Sequence, residues 1–314
     1  MAYSFEDVPQ LGGKVAIVTG ASAGIGLVTA RELAIKGCHV ILACRSRAKT
    51  DAAIATLPDA ARNNVEFAEL DLMSLQSVRD FVAAFVARNL PLHFLVNNAG
   101  IYAPSTFALS VDGIESQLAT NHVGHVALTL GLLPVLEASA PSRVVILSSI
   151  AHTFGVPKDI GVDFEAIHNH PDQYSPLRVY SQSKLANVLF AVELSRRLSA
   201  KGVTNVYVNA LHPGVVRSDI FRNQPWIVRV VLYPFQRTPE DGAKTVLYVA
   251  THADIEANKW HGQYFGPIAK HSEASALAND EKVAAKCWET TAELIARSAE
   301  NARDKGTADP ATNN

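Results

Sequence analysis

The stretch from Lys14 to Gly37, KVAIVTGASAGIGLVTARELAIKG, decides how the rest of the chain is read. Val15, Ala16, Ile17 and Val18 form a short, mostly β-branched apolar run that stops at a turn signal, the pattern of a strand buried on both faces of a parallel sheet. Gly20, Gly24 and Gly26 follow in the order G-x-x-x-G-x-G, preceded by Thr19. Glycines in such a turn let the chain bend sharply and bring backbone N–H groups up to an anion, and they seat the start of the next helix tightly against the strand. The positive end of that helix favours a phosphate. The spacing differs from the G-x-G-x-x-G of the common dinucleotide fingerprint.

Further apolar runs alternate with helical patterns. Cys38 to Ala43, Val65 to Leu70, Leu92 to Val96, Arg143 to Leu147 and Val203 to Ala210 read as strands, and Gly262 to Phe265 reads as a last edge strand. Between them lie a helix capped by Ser74 with Leu75, Val78, Phe81, Val82 and Phe85 at helical spacing, a helical pattern from Val111 to Ala138 interrupted at Gly131 and Pro134, and helices over 240–250 and within 272–298. This alternation predicts an α/β fold: a single doubly wound parallel sheet, Rossmann-like, with helices on both faces. One domain spans 1–314, with a polar insertion at 151–178, an aromatic and aliphatic stretch at 221–237 and a flexible tail at 302–314.

Composition narrows the function. The 314 residues are 48% hydrophobic and 18% charged, enough for a large core, and a formal net charge of −2 gives no electrostatic reason to expect nucleic acid. Cys38, Cys44 and Cys287 show no metal spacing and suit a reducing compartment, so a cytoplasmic location is expected. The N-terminus carries no signal-like apolar run, and no stretch is long and apolar enough to span a bilayer.

Candidate site residues collect where strands end. Arg45 closes the second strand, where an acidic residue would meet a ribose hydroxyl and an arginine a 2′-phosphate; the alternative is a solvated residue opening a helix that Ser46 caps. Asp71 ends the third strand, with a plain loop aspartate as its alternative. Asn97-Asn98-Ala99-Gly100 ends the fourth, and Ser148 and Ser149 end the fifth. His122 and His125 stand i,i+3, but no nearby carboxylate or cysteine completes a metal set, so core histidines are the better reading. Tyr180 and Lys184 are four apart on a helix and share a side; an ammonium near a phenol lowers its pKa and makes it a usable acid or base.

TGASAGIG, NNAG, Asn121, the Ser-Ser strand end, YSQSK and the LHPG loop occur in an order that resembles the short-chain dehydrogenase/reductase family over residues 11 to 297. SSIAH, YSQSKLANVLF and KVAAKCWETTAEL resemble its retinol-dehydrogenase-like branch. The resemblance implies a catalytic set of Tyr180 as general acid or base, Lys184 lowering its pKa and holding the nicotinamide ribose, Ser149 rather than Ser148 on the carbonyl oxygen, and Asn121 bending its helix and holding a water near the lysine. It implies cofactor contacts from Gly20, Ser22, Gly24, Ile25, Gly26, Arg45, Asp71, Leu72, Asn98, Ala99, Gly100, Tyr180, Lys184, Pro213, Gly214, Val216 and Ser218, the last standing where threonine is usual. With Arg45, NADP(H) is expected over NAD(H). The 221–237 stretch falls where the family carries a substrate lid, with a subunit contact or a membrane-surface helix as alternatives. The expected activity is NADP(H)-dependent interconversion of a carbonyl and an alcohol on a bulky hydrophobic substrate; the alternative is a non-catalytic NADP(H)-binding protein of the same fold. Oligomeric state and peripheral membrane contact are left open by the sequence.

Overall fold

A computed structural model describes residues 3–217 and 236–307, with side chains through residue 300. Eight strands form one sheet: β1 (Val15–Thr19), β2 (His39–Cys44), β3 (Val65–Glu69), β4 (Phe94–Asn97), β5 (Ser142–Leu147), β6 (Val206–Leu211), β7 (Tyr264–Gly266) and β8 (Lys270–Ser272). Their spatial order is β3-β2-β1-β4-β5-β6-β7-β8. Neighbours from β3 through β7 pair in parallel, and β8 turns back antiparallel on β7. The order reverses between β1 and β4, the switch point of a doubly wound sheet, where a crevice opens beyond the strand ends.

Because side chains alternate across a strand, each apolar run feeds two cores. Val15 and Ile17 of β1, and Val144 and Ile146 of β5, enter one. Ala16 and Val18, and Val145 and Leu147, enter the other. The first core is closed by α4 (Leu75–Ala87), α6 (Gly124–Ala138) and α8 (Pro176–Ala200), the second by α1 (Gly24–Ile35) and α9 (Pro239–Thr251). Shorter helices are α2 (Arg47–Ala55), α3 (Asp59–Arg62), α5 (Ser116–Leu118), α7 (Phe164–Asn169) and α10 (Asp254–Ala257). The last helix, α11 (Glu281–Thr307), lies on α8, with Trp288 stacked on Phe190 at 5.7 Å.

Ser74 caps α4 by accepting from Ser77 N–H, and Ser46 caps α2 by accepting from Lys49 N–H. Five expectations need correction. The helix expected from Val111 begins at Ser116, because residues 109–115 form a turn closed by a Leu109–Glu115 bridge; a π turn over Ala119–Val123 then joins α5 to α6, which continues through Gly131 and Pro134. At Gly131 an added Cβ would lie 3.0 Å from a Val82 methyl, so the glycine serves helix contact rather than a break. The strand expected as the edge is internal, since β8 lies outside it. Within the 151–178 insertion α7 forms, Pro176 already opens α8, and α11 runs on to Thr307, into the stretch expected as a tail. Among the described residues no helix is long and apolar enough to cross a membrane.

Candidate active site

A cleft of about 560 Å³ opens at the carboxyl ends of the central strands. Its floor and near wall hold Gly24, Ile25, Arg45, Asn98 and Gly100, its far wall Pro213, Gly214 and Val216, and between them stand Ser149, Tyr180 and Lys184. These expected site residues, separated by up to 192 positions, meet because the parallel strands deliver their carboxyl ends to the same side.

The glycine turn is built as the sequence demands. Gly20 and Gly24 take left-handed φ values of 65° and 57°. A Cβ on Gly20 would come within 2.9 Å of Ala99, and one on Gly26 within 2.4 Å of Asn98 Nδ2, so loop, NNAG segment and helix close up only without side chains there. The N-cap of α1, Ala23, makes no side-chain cap bond and the first turn holds no acidic residue. An uncapped, uncharged helix start facing a cleft fits a phosphate. Arg45 is exposed at the tip of β2 and makes no ion pair among the described residues, whereas Arg47 lies 4.4 Å over the Phe67 ring.

At the reaction end, α8 is bolted to the end of β5: Lys184 Nζ donates to Leu147 O at 3.1 Å, Asn187 Nδ2 to the same carbonyl at 2.9 Å, and Ser148 Oγ to Lys184 O at 2.6 Å. Ser148 is thereby a structural serine, while Ser149 faces the cleft and hydrogen-bonds Tyr180. Tyr180 and Lys184 are both buried. Burial pushes the Tyr180 phenol up to about 12, against the lowering hydrogen bond from Ser149. Burial also brings the Lys184 ammonium down to about 8. The lowering expected from the lysine does not offset burial in this state; Nζ lies 5.7 Å from the phenol ring centroid and gives one of its three donors to a carbonyl.

Other expected residues stand off the cleft. Gly20, Gly26 and Ala99 lie behind its lining, where they set its shape. Leu72 is packed in the first core, and Asp71 turns its carboxylate onto Met73 N–H at 3.0 Å. Asn121 sits in the π turn, its amide spent on Ile101 N–H, Ile101 O and Ser183 Oγ. His122 is a core residue between Asn187 and Thr291. Ser218 and the 221–235 part of the expected lid, Trp226 included, lie outside the described residues. Of the insertion's aromatics, Phe154 lines the cleft, whereas Tyr174 is turned away onto Glu115 and Gln117. Among the lining residues that sequence reading missed, Tyr102 stands nearest the chemistry, its ring meeting Tyr180 edge-on at 4.7 Å and 80°. Only its place two residues after NNAG could have drawn attention to it.

A switch-point cleft with a glycine-turned helix start at one end and a Ser-Tyr-Lys group at the other defines a dinucleotide-binding α/β oxidoreductase. Residues 14–160 match the short chain dehydrogenase family model. The chain is 41% identical over 294 residues to the WW domain-containing oxidoreductase of Gallus gallus, covering 91% of this chain and 69% of that one. It is 39% identical to retinol dehydrogenase 12 of Homo sapiens, covering 91% and 87%. A crystal structure of an uncharacterized protein from Mycobacterium paratuberculosis superposes with a TM-score of 0.76 at 35% identity, covering 94% and 98%. The chain belongs to the short-chain dehydrogenase family, among its retinol-dehydrogenase-like members.

Proposed function

We propose that this protein is an NADP(H)-dependent enzyme that interconverts a carbonyl and an alcohol on a bulky hydrophobic substrate. The observation that carries this reading is the convergence of Ser149, Tyr180 and Lys184 on the same cleft as the uncapped start of α1 and Arg45. Gly24, Ile25, Asn98 and Gly100 would hold the dinucleotide along the near wall, Pro213, Gly214 and Val216 along the far wall, and Arg45 would meet a 2′-phosphate. A bound nicotinamide supplies or accepts the hydride.

The chain's own part is proton handling and positioning. A phenol held near 12 is protonated at neutral pH, so in the reducing direction Tyr180 gives its proton to the carbonyl oxygen, with the Ser149 hydroxyl donating to the same oxygen. The phenolate left behind sits beside Lys184, whose ammonium stabilises it once formed. In the oxidising direction the same groups work in reverse.

Support for a hydrophobic substrate comes from the cleft's mouth. Among the described residues, Ile150, Phe154 and Leu177 are three of the few large apolar side chains left exposed, and all three line it, together with Ile101, Tyr102 and Pro104. Retinol, which the human relative's name carries, is a hydrophobic alcohol of this kind. Three buried free thiols suit a reducing compartment, the cytoplasm in this reading.

The test is to mix purified protein with NADPH or NADH and a panel of retinoid-like, polycyclic and short polar carbonyls while following nicotinamide absorbance. Turnover is expected with NADPH and the bulky members. Dinucleotide binding without turnover across the panel would replace the enzyme by a non-catalytic binder.

A further inference from the structure

The Asn98–Ile101 segment forms one wall of the cleft and is held from two sides. Toward β1, the backbone N–H groups of Asn98 and Ala99 both donate to Thr19 Oγ1, each at 2.9 Å. Toward α5 and α6, Ile101 N–H donates to Asn121 Oδ1 at 2.8 Å and Asn121 Nδ2 donates to Ile101 O at 3.0 Å. Thr19 and Asn121 belong to different elements, and His125 joins them. Its Nδ1 lies 3.1 Å from Asn121 O and its Nε2 lies 2.8 Å from Thr19 Oγ1.

The direction of each bond follows from what the partners can do. A backbone carbonyl only accepts, so Nδ1 carries the ring proton and donates to Asn121 O. Burial pushes the imidazole down to about 3, so the ring is neutral and Nε2 presents a lone pair. Thr19, already accepting twice, gives its one proton to Nε2; its other acceptor, Val96 O, is farther at 3.4 Å. The hydrogen bonds and the chain thus make a closed ring through Thr19, Ala99, Ile101, Asn121 and His125. There is little slack beside it: a Cβ on Gly100 would lie 3.3 Å from Asn121 Oδ1 and 3.5 Å from Lys184 Nζ.

We propose that His125 is a positioning residue of the reaction site, a neutral imidazole whose two nitrogens close this ring and so fix the 98–101 wall against Lys184. The inference rests on reading the cleft as a dinucleotide site. Phenylalanine could fill the same space but would open the ring at two bonds, leaving the wall held to Thr19 and to Asn121 separately.

The experiment compares wild type with His125→Phe, His125→Gln, Thr19→Val, Thr19→Ser and the His125→Phe/Thr19→Val pair. NADPH and NADH affinities are read by nicotinamide fluorescence, and kcat on the best carbonyl of the panel, at a temperature well below each variant's melting point. His125→Phe is expected to lose on the order of tenfold in affinity or kcat, and Thr19→Val, which also removes the acceptor of the Asn98 and Ala99 N–H groups, at least as much. The pair should lose no more than its worse member, since both changes open one ring. Thr19→Ser keeps the hydroxyl and should stay near wild type; His125→Gln, with one donor and one acceptor, should recover part of the loss. A folded His125→Phe with wild-type affinity and kcat, or losses that add in the pair, overturns the inference while leaving the proposed function standing. Should His125→Phe not fold, an unaffected Thr19→Val overturns it alone. Wild-type protein that binds neither dinucleotide overturns the function and this inference together.

Discussion

Burial acts on Tyr180 and Lys184 in opposite senses, because it disfavours whichever form is charged. Lys184 is charged below about 8 and loses its charge as the pH rises through that value, while Tyr180 keeps its proton to about 12. For carbonyl reduction, kcat/KM for the dinucleotide, which reports the free enzyme, should therefore decline above about pH 8. A profile flat well into the alkaline range would remove Lys184 from the reaction. Tyr180→Phe takes away the transferable proton and little else. It should cut kcat by roughly 10²- to 10⁴-fold with dinucleotide affinity nearly unchanged, measured by turnover and by fluorescence titration. Arg45→Asp replaces an attraction for a 2′-phosphate by repulsion and offers a ribose hydroxyl an acceptor, so the ratio of kcat/KM for NADPH over NADH should invert. A wild type that already prefers NADH would sink the argument from Arg45.

Among the elements, the 151–178 insertion shows how a long connection is kept in place. The wholly buried carboxylate of Glu115 accepts from Tyr174 OH at 3.0 Å, Ser116 Oγ at 3.1 Å and Leu118 N–H at 2.9 Å. His168 Nε2 accepts from the Glu115 backbone at 3.2 Å, and Gln117 Nε2 donates to Tyr174 OH and Pro176 O. Glu115→Ala would leave the buried Leu118 N–H and Ser116 hydroxyl without their acceptor and release the Tyr174 O–H, a loss of about 1–3 kcal/mol for a buried group so stranded. A fall of several degrees in Tm by thermal denaturation is expected, on the order of what that loss means for a chain of this size. An unchanged Tm would show that the insertion docks without Glu115. None of this was legible in the sequence, where Tyr174 stands 59 positions from Glu115. The aromatics of the insertion read alike, and only the fold separates Phe154, at the cleft, from Tyr174, which anchors.

Across the whole molecule, the strands that carry the site were legible because burial on two faces demands apolar runs, and β1, β4 and β5 show them plainly. The meeting of Ser149, Tyr180 and Lys184 in one cleft was legible because Tyr180 and Lys184 share a helix and Ser149 follows a strand end. β8 was hidden because Lys270, His271 and Ser272 offer no apolar run and pair only as the return of a hairpin. The pKa order of Tyr180 and Lys184 was hidden as well, since burial is a property of the packed chain rather than of spacing. The same packing leaves the cleft polar at its dinucleotide end and apolar at its mouth, which bears on selectivity. Phe154→Ala should raise KM for bulky hydrophobic carbonyls and scarcely alter it for small polar ones, with kcat little changed, because binding common to ground and transition states is lost. Equal KM changes for both classes, in side-by-side steady-state kinetics, would place the substrate's apolar part elsewhere.

The short hairpin strand β8 has a consequence for behaviour in a crowded solution. A sheet of seven parallel strands ending at β7 would offer the buried, aromatic Tyr264-Phe265 strand as an open row of backbone donors and acceptors to any other extended chain. β8 covers that row with three residues, two of them the exposed Lys270 and His271, and is too short and too polar to recruit a further strand. At the opposite margin β3 carries Glu66 and Glu69, with Arg88 and His39 paired to Glu66. Both margins of the sheet are thus charged and blunt, which guards the protein against growing strand by strand into aggregates while its binding cleft stays open between them.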